Sequence, residues 1–122
     1  MDPISIDDFQ KLDIRVGTVV DASVPEWSHW VTKLEVDFGK ELGKRVIFAG
    51  IMKFYKSEDL VGKQFPFVVN MKPKKMGPEG DTSNGMMLAA SMKLEKDEKS
   101  EEEEKPILFK LSQKVPNGTK VR

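Results

Sequence analysis

The chain has 122 residues, with 20 basic and 20 acidic side chains, one histidine and no cysteine. The lack of cysteine excludes disulfides and thiolate metal sites, and a single histidine argues against a histidine-based metal site or a catalytic triad. No apolar run approaches the roughly 20 residues of a membrane span and the N-terminus does not resemble a signal peptide, so we expect a cytoplasmic, non-catalytic protein without a cofactor or a membrane partner.

The first predicted elements are a short helix and a long strand. Ser5 can cap a helix that extends to about Leu12, because its hydroxyl can accept from the backbone of the first turn. Residues 13–20 are rich in β-branched side chains, which favours a strand. Gly17 interrupts this pattern, and a glycine inside a strand predicts a bulge or a sharp bend.

The middle of the chain predicts a hairpin and then a helix. Residues 32–38 alternate between apolar and charged side chains, as in a half-buried strand. Residues 39–43 provide a turn, and residues 44–49 form the returning strand. Ser57 is predicted to cap a second helix, which Gly62 can end.

The next elements are a buried strand, a loop and another strand. Residues 64–70 predict the buried strand, in which Pro66 indicates a sheet edge or an irregular start. Residues 71–84 are predicted to form a long polar loop, and residues 85–90 a further strand.

The last part of the chain combines a charge run with a strand pair. Residues 93–105 are predicted to be an exposed, mobile acidic loop, and residues 107–111 and 115–121 to contain the final strands. The pattern predicts an all-β fold, namely a five-stranded OB-fold barrel with a short helix between strands 3 and 4, an N-terminal helix and a C-terminal β extension. We expect one domain over residues 1–122, with a core at about 12–92, the acidic loop at about 93–105 and the extension at about 106–122.

Charge is distributed unevenly along this neutral chain. Residues 44–76 hold eight basic and two acidic side chains, a net charge of +6. A local field of this kind attracts anionic ligands, although a solvated lysine-rich face is the better interpretation of charge alone.

Four motifs occur in order, and together they resemble one family. They are Asp13-Ile-Arg-Val-Gly17, Ala49-Gly-Ile51, Asn70-Met-Lys-Pro-Lys-Lys-Met76 and Ser83-Asn-Gly-Met-Met-Leu-Ala-Ala90. The chain resembles the tRNA-binding domain of many methionyl-tRNA synthetases, which is similar to free-standing tRNA-binding proteins, endothelial monocyte-activating polypeptide II and CsaA-type chaperones. The archaeal β-subunit or C-terminal domain of methionyl-tRNA synthetase is the most similar type. The resemblance implies an OB barrel that recognises tRNA by shape, a homodimer, and a synthetase catalytic chain as a further partner.

The same motifs imply a set of tRNA-binding residues. They are Lys33, Asn70, Lys72, Lys74, Lys75, Ser83, Asn84 and Met86, and Arg15 matches the first-strand arginine of the family. The Asn84-Gly85 pair favours a tight turn, which would expose Ser83 for phosphate or ribose and Met86 for a base, while Met87 faces inward.

Some features of the sequence depart from the family pattern. The loop at residues 25–32 differs from it although Lys33 and Leu34 match, Asn84 replaces a glutamine, and Glu79 and Asp81 place acids in the basic loop. Trp27 and Trp30 could stack on bases, but packing under their loop or at a subunit contact is the favoured interpretation. The alternative functions are a CsaA-like homodimeric chaperone that binds proteins and a structural dimerisation module.

Overall fold

Strands provide most of the regular structure of the chain, of which a computed structural model describes residues 1–94 and 103–122. The elements in chain order are α1 (Ile6–Phe9), β1 (Ile14–Ser23), β2 (Thr32–Asp37), α2 (Gly39–Leu42), β3 (Lys44–Ala49), a 3-10 turn (Ser57–Asp59), β4 (Gln64–Val68), β5 (Lys74–Met76), β6 (Asp81–Ser83), β7 (Met86–Met87), β8 (Ala89–Leu94), β9 (Glu103–Leu108) and β10 (Lys120–Val121). None of the helices in the described stretches is long and apolar enough to cross a membrane.

The long strand β1 organises the barrel. It pairs antiparallel with β2 on one side and β4 on the other, which gives the strand order β3-β2-β1-β4-β7. The two ends of this order meet, because the Asn84 N–H donates to the Val46 carbonyl at 2.8 Å. The chain therefore forms a nearly closed five-stranded barrel of the OB type, and the predicted all-β fold is confirmed.

The barrel interior is apolar and tightly packed. Leu34, Val36 and Phe38 all point inward from or beside β2, as the alternation predicted. The Phe38 and Phe67 rings meet edge to face at a centroid distance of 5.5 Å, a favoured aromatic geometry. This core fixes the curvature of β1 to β4.

The prediction of a bulge or bend at Gly17 gives the wrong position. The register between β1 and β2 shifts between Val19 and Asp21, so the irregularity lies beyond the glycine. A Cβ at residue 17 would lie 2.5 Å from Val36 Cγ1 and 2.8 Å from the Phe38 ring. Gly17 is therefore needed for close packing and not for a bulge.

The structure corrects the prediction for Pro66. Its strand β4 lies between β1 and β7, so Pro66 is not at a sheet edge. The residue opposite it on β1, Val16, bonds instead to the 116–119 segment. The Pro66 nitrogen, which has no hydrogen to donate, thus faces β7 at a point beyond the end of the β4–β7 ladder. One bond is still formed there, from the Leu88 N–H to the Pro66 carbonyl at 3.1 Å.

The predicted helices are shorter than expected. Ser5 caps α1 by accepting from the Asp8 N–H at 3.1 Å, as predicted, but the helix ends at Phe9. The predicted second helix is only a 3-10 turn, and Ser57 lies inside it without capping it. The predicted turn at residues 39–43 contains the single helical turn α2.

Two segments predicted as loops contain strands. The polar loop at residues 71–84 folds into the hairpin of β5 and β6. The ends of the predicted acidic loop, 93–94 and 103–105, belong to the paired strands β8 and β9, and its remainder lies outside the described residues. The predicted strand at residues 85–90 is divided between β7 and β8.

Candidate nucleic-acid interface

The hairpin of β5 and β6 presents the central lysines. Its register pairs Lys74 with Ser83 and Lys75 with Thr82. Gly77 and Gly80 at its tip have φ values of 70° and 82°, a left-handed conformation that glycine adopts without penalty. The local sequence thus builds a two-stranded hairpin where a long polar loop was predicted.

A groove of about 240 Å³ lies between this hairpin and the barrel. Its lining combines basic and apolar side chains, and consists of Phe48, Met71, Lys72, Lys74, Met76, Ser83, Gly85 and Met86. A second recess of about 180 Å³ shares Phe48 and Met86 with it. The two recesses therefore form a continuous surface across β3 and β7.

Three lysines of this region are exposed and available to a ligand. Lys72, Lys74 and Lys75 are all exposed, and none of them forms an ion pair with a described residue. Lys72 and Lys74 line the groove, whereas Lys75 does not. Because neighbouring strand residues point to opposite faces, the Lys75 side chain lies on the other face of the hairpin.

Lys33 approaches the same hairpin through an ion pair. Its ammonium lies 3.4 Å from the Asp81 carboxylate, and both side chains are partly exposed. Asp81 therefore neutralises one of the predicted binding charges. The pair also ties β2 to β6.

Ser83 does not point outward, which corrects the prediction that its hydroxyl is exposed. The residue is 8% exposed. Its hydroxyl accepts from the Phe48 N–H at 3.0 Å and donates to the Gly85 carbonyl at 3.4 Å. The physical reason is the unpaired edge of β3, whose buried N–H needs an acceptor.

Asn70 also has a structural partner on each side of its amide. Its oxygen accepts from the Asp13 N–H at 2.9 Å, and its nitrogen donates to the Lys11 carbonyl at 2.6 Å. These bonds join the N-terminal segment to the end of β4. Asn84 contributes its backbone N–H to barrel closure, and its side chain is partly exposed.

Arg15 lies near the start of β1, at the opposite end of that strand from Ser23, which neighbours Lys33. Its guanidinium donates to the Asp13 carboxylate at 2.6 Å and to the Gly118 carbonyl at 3.1 Å. The hydrogen bond to Asp13 raises the pKa of Arg15 above its usual value, and the charges of Asp13 and Glu41 act in the same direction. Through these bonds Arg15 joins β1 to the C-terminal segment.

The methionine pair divides as predicted. Met86 is exposed in the groove, and Met87 packs against the core. Phe48 was not recognised from the sequence, although it lines both recesses. The alternation of residues 44–49 could have identified it, because Phe48 points away from the Ile47 side of β3.

The two tryptophans have different environments. Trp27 packs against Gly77 and lies 6.0 Å from the Phe48 ring, centroid to centroid. The prediction that it packs under its loop is confirmed. Trp30, in contrast, is 55% exposed, so it does not pack under the loop, and a subunit contact by Trp30 stays a prediction.

Comparisons with known proteins identify relatives over nearly the whole chain. A family model described as "Putative tRNA binding domain" matches residues 14–120. Methionine–tRNA ligase 1 of Bacillus anthracis is 39% identical over 119 residues, which cover 98% of this chain but 16% of that protein. The chain thus spans a small part of the curated relatives that it matches.

Two solved structures share the fold over their full length. The crystal structure of a MetRS-related protein from Pyrococcus horikoshii has a TM-score of 0.83 and 35% identity, and covers 100% of both chains. The chaperone CsaA of Bacillus anthracis str. Ames has a TM-score of 0.79 and 33% identity, and covers 99% of this chain and 100% of its own. Both are therefore similar to this chain over nearly its whole length.

Proposed function

The chain belongs to the putative tRNA-binding domain family, and from that premise we propose that it binds tRNA in the groove between β3 and the β5–β6 hairpin. The observation that carries the proposal is the set of exposed lysines, Lys72, Lys74 and Lys75, which have no acidic partner among the described residues, beside an apolar groove. Lysine is a compact, mobile charge suited to phosphate. The hairpin holds these charges on a rigid support.

Binding in this groove combines two physical effects. Lysines that neutralise phosphates release counterions, which makes the affinity strongly dependent on salt. Met86, which is 46% exposed, offers a soft apolar surface to a ribose or base. Phosphate contacts carry no base sequence, so the proposed recognition depends on the shape of the tRNA.

The proposed role is that of an auxiliary module without catalysis of its own, which acts with a methionyl-tRNA synthetase in the cytoplasm. The match to the ligase of Bacillus anthracis supports this role, because this chain corresponds to only a small part of that ligase. A module that holds tRNA near a synthetase raises its effective concentration there. The archaeal subtype remains a prediction.

Homodimerisation is part of the proposal. The N-terminal segment exposes a series of apolar side chains, namely Ile4, Ile6, Phe9 and Leu12. Contiguous exposed apolar surface marks interaction sites. We expect a second copy to cover it, which would give two tRNA-binding grooves per assembly.

The experiment that tests tRNA binding is a titration of labelled unfractionated tRNA followed by fluorescence anisotropy. We expect binding at low salt that weakens steeply as salt rises. Absence of binding at low salt would contradict the proposal. Analytical ultracentrifugation of wild type and Ile6→Asp tests the dimer, since a charge in a covered apolar surface should yield monomers.

A CsaA-like chaperone function is the alternative. The apolar lining shared by the two recesses and the similarity to a CsaA structure favour it. Casein, which is unfolded without treatment, should then bind and compete with tRNA. Saturable casein binding without tRNA binding would support the chaperone function and exclude the proposed one.

A further inference from the structure

The loop between β1 and β2 holds an exposed tryptophan in a fixed position. Trp30 is 55% exposed, although tryptophan is normally well buried. An exposed indole leaves a large apolar face in water, which is unfavourable unless a ligand covers it. The residues around Trp30 therefore indicate what kind of ligand could cover it.

Three hydrogen bonds hold the backbone of Trp30 and of its neighbour Val31. The Ser28 hydroxyl, on a residue that is 4% exposed, accepts from the N–H groups of Trp30 and Val31 at 3.2 and 3.0 Å. The Met52 N–H donates to the Trp30 carbonyl at 3.3 Å. A loop whose backbone is already ordered loses less conformational entropy when a ligand binds.

A continuous series of aromatic rings connects Trp30 to the groove. The Trp27 ring meets Trp30 edge to face at a centroid distance of 6.3 Å, and lies 6.0 Å from the Phe48 ring. Phe48 lines the groove together with Lys72 and Lys74. The exposed indole is thus two ring contacts away from the basic groove.

We propose that Trp30 is a stacking platform for an unpaired nucleobase of the RNA whose phosphates contact Lys72 and Lys74. This inference rests on the proposed function and adds a residue and a ligand group to it. Unpaired bases stack on aromatic side chains regardless of their identity. The adjacent positive charge favours a nucleic acid over an apolar protein segment as the occupant.

Affinity for unfractionated tRNA tests the role of Trp30. Trp30→Ala should bind about tenfold more weakly, because base stacking contributes about this much, whereas Trp30→Phe should largely retain affinity. The slope of log affinity against log salt should not change, since no charge is lost. Phe109→Ala is the matched control, because Phe109 is also an exposed aromatic residue, at 48%, and should bind like wild type.

Fluorescence gives a readout that a merely structural role would not change. A short single-stranded oligoadenylate should quench the emission of the wild-type protein. In Trp30→Phe, Trp27 is the only remaining tryptophan, and the quenching should be lost. Quenching that persists in Trp30→Phe would overturn the inference.

The outcomes separate this inference from the proposed function. Failure of wild type to bind tRNA would overturn the proposed function. Normal tRNA binding by Trp30→Ala would overturn only the stacking role. Loss of casein binding by Trp30→Ala, with tRNA binding retained, would assign Trp30 to a protein partner and likewise overturn the stacking role.

Discussion

The Ser83 hydroxyl accepts a hydrogen bond from the Phe48 backbone N–H at 3.0 Å, and this bond joins the β5–β6 hairpin to the edge strand β3 of the barrel. A serine that the sequence motif predicted to contact RNA thus satisfies a buried backbone donor. The bond positions Phe48 and Met86 on either side of the groove. The hydroxyl of Ser83 is therefore engaged within the protein.

Replacement of Ser83 tests this structural role. Ser83→Ala should lower the free energy of unfolding by about 1–3 kcal/mol, because the buried Phe48 N–H loses its acceptor. Urea denaturation measures this change. Thr82→Ala, at an exposed neighbouring position, should have little effect, and equal stability of the two variants would contradict the assignment.

Gly77 is predicted to be required for the packing of Trp27. Gly77→Ala combines a left-handed backbone, at φ 70°, with overlap between the new Cβ and the Trp27 ring. We expect a loss of stability that exceeds about 1–2 kcal/mol, the cost of the backbone conformation alone, and an altered tryptophan emission. Gly80→Ala has a similar φ of 82° with nothing within 4 Å, so it should show only the backbone cost.

Asn70 is predicted to stabilise the N-terminal segment. Asn70→Ala removes the bonds to the Asp13 N–H and the Lys11 carbonyl, and should speed hydrogen exchange at Asp13 while tRNA affinity stays unchanged. Lys72→Ala should show the converse, with weaker tRNA binding and unchanged exchange. Lost affinity without faster exchange in Asn70→Ala would instead favour a direct contact by Asn70.

The ion pair between Lys33 and Asp81 is predicted to limit tRNA affinity. Asp81→Asn removes a negative charge near phosphate and releases Lys33, so binding should tighten and the salt slope should steepen by about 0.7–0.9. Glu79→Gln is the control for charge alone, because Glu79 is exposed in the same hairpin without an ion pair to any described residue. Weaker binding by Asp81→Asn would exclude Lys33 as a phosphate contact.

The fold was predictable where periodicity is strong. The alternation at residues 32–38 identified β2 and its buried face, because a strand exposes and buries residues in turn. The hairpin of β5 and β6 was missed because its three-residue strands are mostly polar and too short to show an alternation. Gly17 was misassigned because sequence does not distinguish a glycine needed for packing from one needed for a bend.

The candidate site was predictable in place but not in every role. Lys72, Lys74 and Met86 lie together at the groove, as expected from the motifs. Ser83 and Asn70 differ because their partners, Phe48 and Asp13, are 35 and 57 residues away in sequence. Such long-range hydrogen bonds leave no local pattern.

The most direct test of the central claim is the salt dependence of tRNA affinity in matched lysine variants. Lys72→Ala/Lys74→Ala removes two charges from the groove. Lys40→Ala/Lys44→Ala removes two charges from the opposite end of the β2–β3 hairpin, where Lys44 lies opposite Asp37 in the strand register. We expect the groove variant to bind more weakly and to reduce the salt slope by about 0.7–0.9 per lysine, while the control resembles wild type. Equal effects of the two variants, or no effect of the groove variant, would contradict tRNA binding at this groove.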